Sequence, residues 1–97
     1  MNADLLNWRV AAARLRSQEA LQGFLRADIA LAFTFLETAE IDRESDPVQC
    51  KAAIGKAQEA LATIRGFEAR LEDPAHLAEI HESADSLELA ISHAEKA

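Results

Sequence analysis

The chain has 97 residues, which is enough for one domain of ordinary size and too few for two. Seventeen acidic against ten basic residues give a net charge of −7. This charge argues against a nucleic-acid backbone as the main ligand, because phosphate binding needs a surplus of lysine and arginine. An apolar fraction of 49% argues against disorder, and a single cysteine excludes an internal disulfide and fits a reducing compartment.

The amino-terminal part of the chain has a helical pattern, with Trp8 and Leu15 on one side. Ser17 is a possible cap for a second helix, and Gly23 lowers helix propensity. One unbroken helix is the alternative, but we predict a kink or a short break near Ser17 or Gly23. Residues 1–26 carry four basic and two acidic groups, a net of +2, whereas residues 27–97 carry six and fifteen, a net of −9. A basic first helix lying against an acidic body, its own or a partner's, is therefore expected.

The segment Ile29–Leu36 is apolar except for one threonine. Eight residues cover more than two helical turns, so their side chains point in nearly every direction. A strand is the alternative for so short a run, but the helical stripes on both sides and the absence of Gly and Pro favour a helix. We predict a helix that other helices cover on all sides.

Two Asp-Pro steps, at Asp46-Pro47 and Asp73-Pro74, predict the starts of two further helices. Aspartate is a good N-cap and proline suits the first helical position. Gln49 stands at the spacing of a capping box after Asp46. The last helix has a narrow apolar seam with alternating steps of three and four residues.

These patterns predict an all-α domain, an antiparallel bundle of three long helices with an N-terminal helix or extension. The predicted spans are about 4–16, 18–41, 47–71 and 74–95. The predicted inner positions are Leu25, Ile29, Ala32, Leu36, Ala39, Ile54, Ala57, Leu61, Ile64, Leu71, Leu77, Ile80, Ala84, Leu87 and Ile91.

Narrow seams on the neighbouring helices would leave Phe33 or Phe35 on the outer side of a monomer. Exposed aromatic side chains at this density usually mark an interface, and most homodimers are two-fold symmetric. We therefore predict a homodimer through the helix around Phe33. The alternative is that residues 4–16 fold back and cover the phenylalanines within one chain. Trp8 itself is expected to be a packing anchor for the first helix rather than a residue that stacks on a ligand. The predicted interface residues are Ile29, Phe33, Phe35, Leu36 and Trp8.

Candidate catalytic or metal-binding residues are few. His76 and His81 are five residues apart, about 140° around a helix, so they cannot hold one ion as the zinc helices do. Two acidic pairs, Glu37 with Glu40 and Glu82 with Asp85, have the spacing that all-α nucleotide pyrophosphohydrolases use to hold magnesium. The same spacing is common on solvated helix faces, and no phosphate-binding loop accompanies these pairs.

Small residues raise two further alternatives. Cys50 occupies an apolar stripe in the first turn of its helix, which favours the core over a reactive thiol. Gly55 and Gly66 are 11 residues apart and share a face, which is either a surface for close helix approach or simply exposed.

The segment 21–71 resembles a group of small, uncharacterised bacterial all-helical proteins. The resemblance rests on the run from Leu31 to Phe35 with Ala39, and on the run from Ala57 to Ile64. The group often has an aromatic residue where Leu61 stands here. The resemblance implies an all-helical fold and brings no activity with it.

The sequence therefore predicts a non-enzymatic helical interaction or structural protein in the cytoplasm, with a second copy of itself as partner. It predicts no cofactor, no bound metal and neither nucleic acid nor membrane as partner. The alternative is a magnesium-dependent nucleotide pyrophosphohydrolase that uses the paired carboxylates.

Overall fold

A computed structural model describes the backbone of residues 2–97 and the side chains from residue 7 onwards. The described residues form three helices and no strand: α1 (Asn2–Asp42), α2 (Pro47–Glu68) and α3 (Pro74–Lys96). The predicted all-α class is confirmed.

Helix α1 is continuous over 41 residues, so the predicted break near Ser17 or Gly23 is wrong. Ser17 lies within the helix instead of capping a new one, and Gly23 keeps a negative φ. A single glycine costs a helix only about 1 kcal/mol relative to alanine. The fold-back of residues 4–16 over the phenylalanines is likewise wrong, because α1 runs on in one direction.

Both Asp-Pro steps start helices as predicted. The carboxylate of Asp46 accepts a hydrogen bond from the Gln49 amide at 3.1 Å, and that of Asp73 accepts one from the Ala75 amide at 2.8 Å. Helix α2 ends at Glu68, earlier than predicted. Beyond this residue the backbone changes to hydrogen bonds between residues three apart, as in a 3₁₀ turn: the Leu71 amide donates to the Glu68 carbonyl at 3.1 Å. Residues 69–73 therefore form the connection to α3.

The core lies along the facing stripes of the three helices. Eleven of the fifteen predicted inner residues are buried, and the other four are half-buried against them. The half-buried four are Leu36, Ile54, Leu61 and Leu77. The buried polar residue Gln22 was not predicted. The apolar stripes thus identified the core residues, although they did not predict which of them are fully buried and which are half-buried.

Polar contacts connect the helices at several heights. The Arg26 guanidinium on α1 donates two hydrogen bonds of 2.8 Å to the Glu79 carboxylate on α3. The Gln58 amide on α2 donates to Glu95 on α3 at 2.6 Å. None of the three helices, over the part of the chain described, combines the length and apolarity needed to cross a bilayer.

Candidate interaction surface

Helix α1 is the longest of the three helices, and its first described side chains are mostly exposed. The side chain of Gln18 meets the α2–α3 connection: it donates to the Arg70 carbonyl at 3.1 Å and accepts from the Glu72 amide at 2.8 Å. Arg14 also meets this connection through Glu72, and Leu15 lines a pocket with Asp73 and His76. We call the described side chains of α1 before Gln18, residues 7–17, the α1 overhang.

The length of the molecule agrees with this arrangement. It measures 67 Å along its longest axis and 19 Å across. At about 1.5 Å per residue, α1 is about 62 Å long and α2 about 33 Å. The overhang is thus a helix with little of its own chain beside it.

Large apolar side chains are exposed on the overhang. Trp8 is 68% exposed, Val10 60% and Leu15 61%. Trp8 and Leu15 are seven residues apart, and the same interval continues along α1 to Gln22 and Ile29, which are buried. The overhang therefore carries the inward stripe of α1 into a region where α2 and α3 no longer cover it. Because Trp8 is 68% exposed, it is not the packing anchor that was predicted, as far as the described side chains show.

The overhang is also basic. Arg14 pairs with Glu72 of its own chain, with the guanidinium Nε 2.8 Å from the carboxylate. Arg9 and Arg16 have no carboxylate partner among the described side chains. An apolar stripe flanked by two available guanidinium groups suits an acidic surface.

A groove between α1 and α3 lies towards the opposite end of the molecule. Its volume is about 660 Å³. Phe33, Leu36, Ala90 and Ala94 contribute apolar surface, and the polar lining comes from Glu37, Glu40, Arg43 and His93, with Arg43 paired to Glu40. We call it the α1–α3 groove. It therefore combines an apolar lining with both acidic and basic side chains.

The predicted interface residues fall into three environments. Ile29 is 8% exposed and belongs to the core, so it offers almost no surface to a partner. Phe33 and Leu36 are half-buried and line the α1–α3 groove, whereas Phe35 is half-buried on the α2 side, with the Lys56 ammonium 5.5 Å from its ring centre. Trp8 is exposed on the overhang.

Five exposed large apolar residues of α1 were not among the predicted interface residues: Val10, Leu15, Phe24, Leu31 and Ile41. Phe24 and Leu31 are each 48% exposed. Phe24 makes an edge-to-face contact with Phe67, with ring centres 6.2 Å apart. Phe24 and Leu31 are seven residues apart, in an apolar stripe beside the core stripe, and this spacing was the sequence signal for a second apolar surface.

The paired carboxylates are not brought together into one site. The Asp85 carboxylate is turned towards α2, where it accepts a hydrogen bond of 2.6 Å from Arg65, and Glu40 pairs with Arg43 at 2.7 Å. Among the described residues, no group of three or more His, Cys, Asp or Glu side chains is arranged to hold a metal ion. The four-carboxylate magnesium site is thus not assembled in this structure.

Arg65 instead organises a polar cluster between α2 and α3. Besides Asp85, it lies 3.4 Å from the Glu68 carboxylate, which in turn is 3.1 Å from the His81 Nδ1. The hydrogen bond from Arg65 lowers the pKa of Asp85 and raises that of Arg65. In the same way, the hydrogen bonds from Arg26 lower the pKa of Glu79. These carboxylates are ionised partners in structural ion pairs.

The small residues have simple environments. Cys50 is 8% exposed and packs with Ala39 and Ala53, as the core interpretation predicted. A Cβ added at Gly55 or Gly66 would meet nothing within 4 Å. Neither glycine is therefore required by a close helix contact among the described residues.

Comparison of the chain with models of known families, with curated proteins and with solved structures gives no match. The resemblance to small bacterial all-helical proteins accordingly stays a prediction.

Proposed function

We propose that this chain is a non-enzymatic helical interaction module of the cytoplasm whose partner is a second copy of itself. The observation that carries the proposal is the overhang: Trp8 and Leu15 extend the core stripe of α1 beyond the helices that could cover it. Contiguous exposed apolar side chains usually mark an interaction surface. The single, buried cysteine suits a reducing compartment.

We propose further that the three helices form an antiparallel bundle with the overhang as its N-terminal extension. Side-chain contacts support this arrangement. Gln18 meets the α2–α3 connection and Phe24 meets Phe67, whereas Phe35, further along α1, meets Lys56, which is earlier in α2. Contacts in this order are those of two helices that run in opposite directions.

A second copy is favoured as the partner by charge. The overhang belongs to a segment with net charge +2, and the rest of the chain carries −9. Each copy therefore supplies both a basic apolar helix end and an acidic body. Surfaces of opposite charge steer their own association and disfavour the alternative pairings of like with like.

Analytical ultracentrifugation across a concentration series tests self-association. We expect a dimer of twice the 10.6 kDa chain mass that dissociates on dilution. Leu15→Gln should weaken the dimer, because it places an amide in the apolar stripe. Leu89→Gln is the matched control, since Leu89 is 62% exposed on α3 and lies outside the overhang. A single species of monomer mass at tens of micromolar would refute the proposal.

A further inference from the structure

We propose that two copies of the chain pair along the solvent-facing side of α1, with the two α1 helices antiparallel and a two-fold axis between residues 25 and 26. This inference rests on the self-association proposed above and names the surface along which the copies pair. The surface is separate from the α1–α3 groove and from the stripe of Trp8 and Leu15.

An uncharged seam runs along the solvent-facing side of α1. From Val10 to Ile41 it advances in alternating steps of three and four residues, beginning with three, which is the spacing of the contact positions in a coiled coil. All ten of its residues are exposed, and none is charged. Its large apolar members are Val10, Phe24, Leu31 and Ile41, and the others are three alanines, two threonines and a serine. We call these ten positions the outer seam.

The outer seam faces away from the rest of the chain. Gln22, Leu25 and Ile29 mark the side of α1 that is buried against α2 and α3. At 3.6 residues per turn, the middle of the outer seam lies about 150° around α1 from the middle of this buried side. Two copies that meet along the outer seam therefore keep α2 and α3 to the side of the paired α1 helices or behind them, so their bodies do not overlap.

One register matches large side chains with small ones. When the antiparallel pair is centred between residues 25 and 26, Phe24 of each copy faces Ala27 of the other, and Leu31 faces Ala20. The alanines leave room for the larger side chains and allow a close approach, because the distance between packed helix axes follows side-chain size. A two-fold axis repeats every contact, so the same register serves both copies.

The same register pairs the ends of the outer seam by polarity. Val10 faces Ile41, which joins two exposed β-branched side chains, and Ser17 faces Thr34. The hydroxyl groups of Thr34 and Thr38 already donate to carbonyls one turn earlier in α1, at 3.1 Å each. Covering these threonines with a partner helix therefore leaves neither hydroxyl hydrogen without an acceptor.

The charges along one edge of the outer seam are complementary in this register. Arg9, Arg16 and Glu37 each stand one position before a seam residue, so they flank the seam on the same edge, and all three are exposed. In the antiparallel pair Arg16 lies beside Glu37 of the other copy. Arg9 lies beside Glu44, which is exposed in the connection after α1. The two-fold axis makes each of these pairs twice, and such pairs set the orientation of paired helices.

A parallel pair along the same seam is disfavoured by charge and by size. It would bring Arg9 beside Arg14 of the other copy and Glu37 beside Asp42, which are like charges at both ends. It would also set Phe24 against its own copy, while the alanines faced each other across a gap. The antiparallel orientation avoids both defects.

The overhang gains neighbours in the proposed dimer. Residues 7–17 of one copy lie level with residues 34–44 of the other α1 helix. At these heights α1 has both other helices beside it: Ala39 packs with Cys50 of α2, and Leu36 lines the α1–α3 groove with Ala90. The overhang, which has little of its own chain beside it, therefore lies beside the body of the second copy.

Single cysteines test the orientation and the register. In a chain with Cys50→Ala, one variant carries Ser17→Cys and another carries Thr34→Cys. Oxidation of either variant alone should give no covalent dimer, because the two copies of one position are 17 residues, or about 25 Å, apart along the antiparallel pair. A mixture of the two should give a covalent heterodimer, because positions 17 and 34 then face each other within the reach of a disulfide.

A substitution in the outer seam tests its contribution to affinity by sedimentation. Leu31→Glu should weaken the dimer at least about 100-fold, because it places two carboxylates in the contact without partners. Leu89→Glu is the matched control, the same change at an exposed leucine of α3. Circular dichroism establishes that the variants remain helical, and Leu31→Gln is the milder probe if Leu31→Glu fails to fold.

The flanking charges provide a test by exchange. Arg16→Glu alone should weaken the dimer about three- to tenfold at low salt, because two carboxylate pairs then face each other. Arg16→Glu combined with Glu37→Arg in the same chain should restore the affinity, because the exchange rebuilds both pairs with their signs reversed. A combined variant that stays as weak as Arg16→Glu would overturn the register.

The outcomes separate this inference from self-association itself. If the unchanged chain dimerises and Leu31→Glu dimerises equally well, the outer seam is not the contact, although self-association stands. A dimer that is lost in Leu15→Gln and kept in Leu31→Glu assigns the contact to the stripe of Trp8 and Leu15 instead. A covalent dimer from either cysteine variant alone, or none from their mixture, overturns the antiparallel register. If the unchanged chain is a monomer at tens of micromolar, both proposals fail.

Discussion

Replacing Leu87 by alanine tests whether the inward face of α3 holds the molecule together. The Leu87 side chain is fully buried in the core, so the substitution removes its apolar contacts and leaves a cavity. Leucine-to-alanine changes at such sites cost about 3 kcal/mol, within a range of about 2–5. For a domain of about 100 residues, each kcal/mol lowers Tm by about 4–8 °C, so we expect a decrease of about 12–24 °C.

The matched control for this substitution is on the same helix. Leu89 is 62% exposed, and Leu89→Ala should change the free energy of unfolding by less than about 0.5 kcal/mol. Urea unfolding followed by circular dichroism measures both variants, at one protein concentration because association also stabilises the folded chain. If Leu87→Ala fails to fold, Ile64→Val is the milder probe, with an expected cost of about 1 kcal/mol. Equal losses for Leu87→Ala and Leu89→Ala would show that the inward face has been assigned to the wrong residues.

Three further predictions follow from the described side chains. The pKa values of Asp85 and Glu79 are lowered in the folded chain. The stabilisation from these two carboxylates is therefore present above their unfolded pKa values near 4, and it is lost as the pH falls through their folded pKa values. Asp85→Asn with Glu79→Gln should reduce the loss of unfolding free energy at acid pH, measured by urea unfolding, and an unchanged loss would contradict these ion pairs. Gly55→Ala or Gly66→Ala should stabilise the chain by about 0.5–1 kcal/mol, because the added Cβ meets open space. If the face with these glycines instead receives a partner, sedimentation of the variant would show weaker association. Magnesium should leave Tm unchanged, and a rise that is lost in Glu37→Gln would favour the nucleotide hydrolase.

The helix starts and the core stripes could be predicted because their causes are local. Asp46 and Asp73 cap their helices through residues two or three positions away, and the periodic apolar residues of α3 all face one way. The continuity of α1 was harder to predict, because the sequence around Ser17 is compatible with either a break or a helix. The contacts that Arg14 and Gln18 make with the α2–α3 connection join residues more than 50 positions apart.

The candidate surface was predicted only in part for a related reason. Phe33 was placed near an interface from its apolar surroundings, and it does line a groove. The covering of Phe35 by Lys56 and the burial of Ile29 depend on where α2 and α3 lie across α1. The exposure of Trp8 follows from the unequal lengths of the helices, and it could be predicted only after α1 was known to be continuous.

The abundance of alanine in the core affects how the helices keep their axial register. Six of the fourteen buried apolar residues are alanine, so at these positions the facing helix surfaces offer only a methyl group to interlock. The pairs Arg26–Glu79 and Arg65–Asp85 lie at different heights on α3, and a slide by one helical turn, about 5.4 Å, would separate both. Exposed ion pairs contribute only about 0–1 kcal/mol each to stability, so the two pairs add a small penalty for such a slide to the larger penalty of moving the leucines and isoleucines out of register.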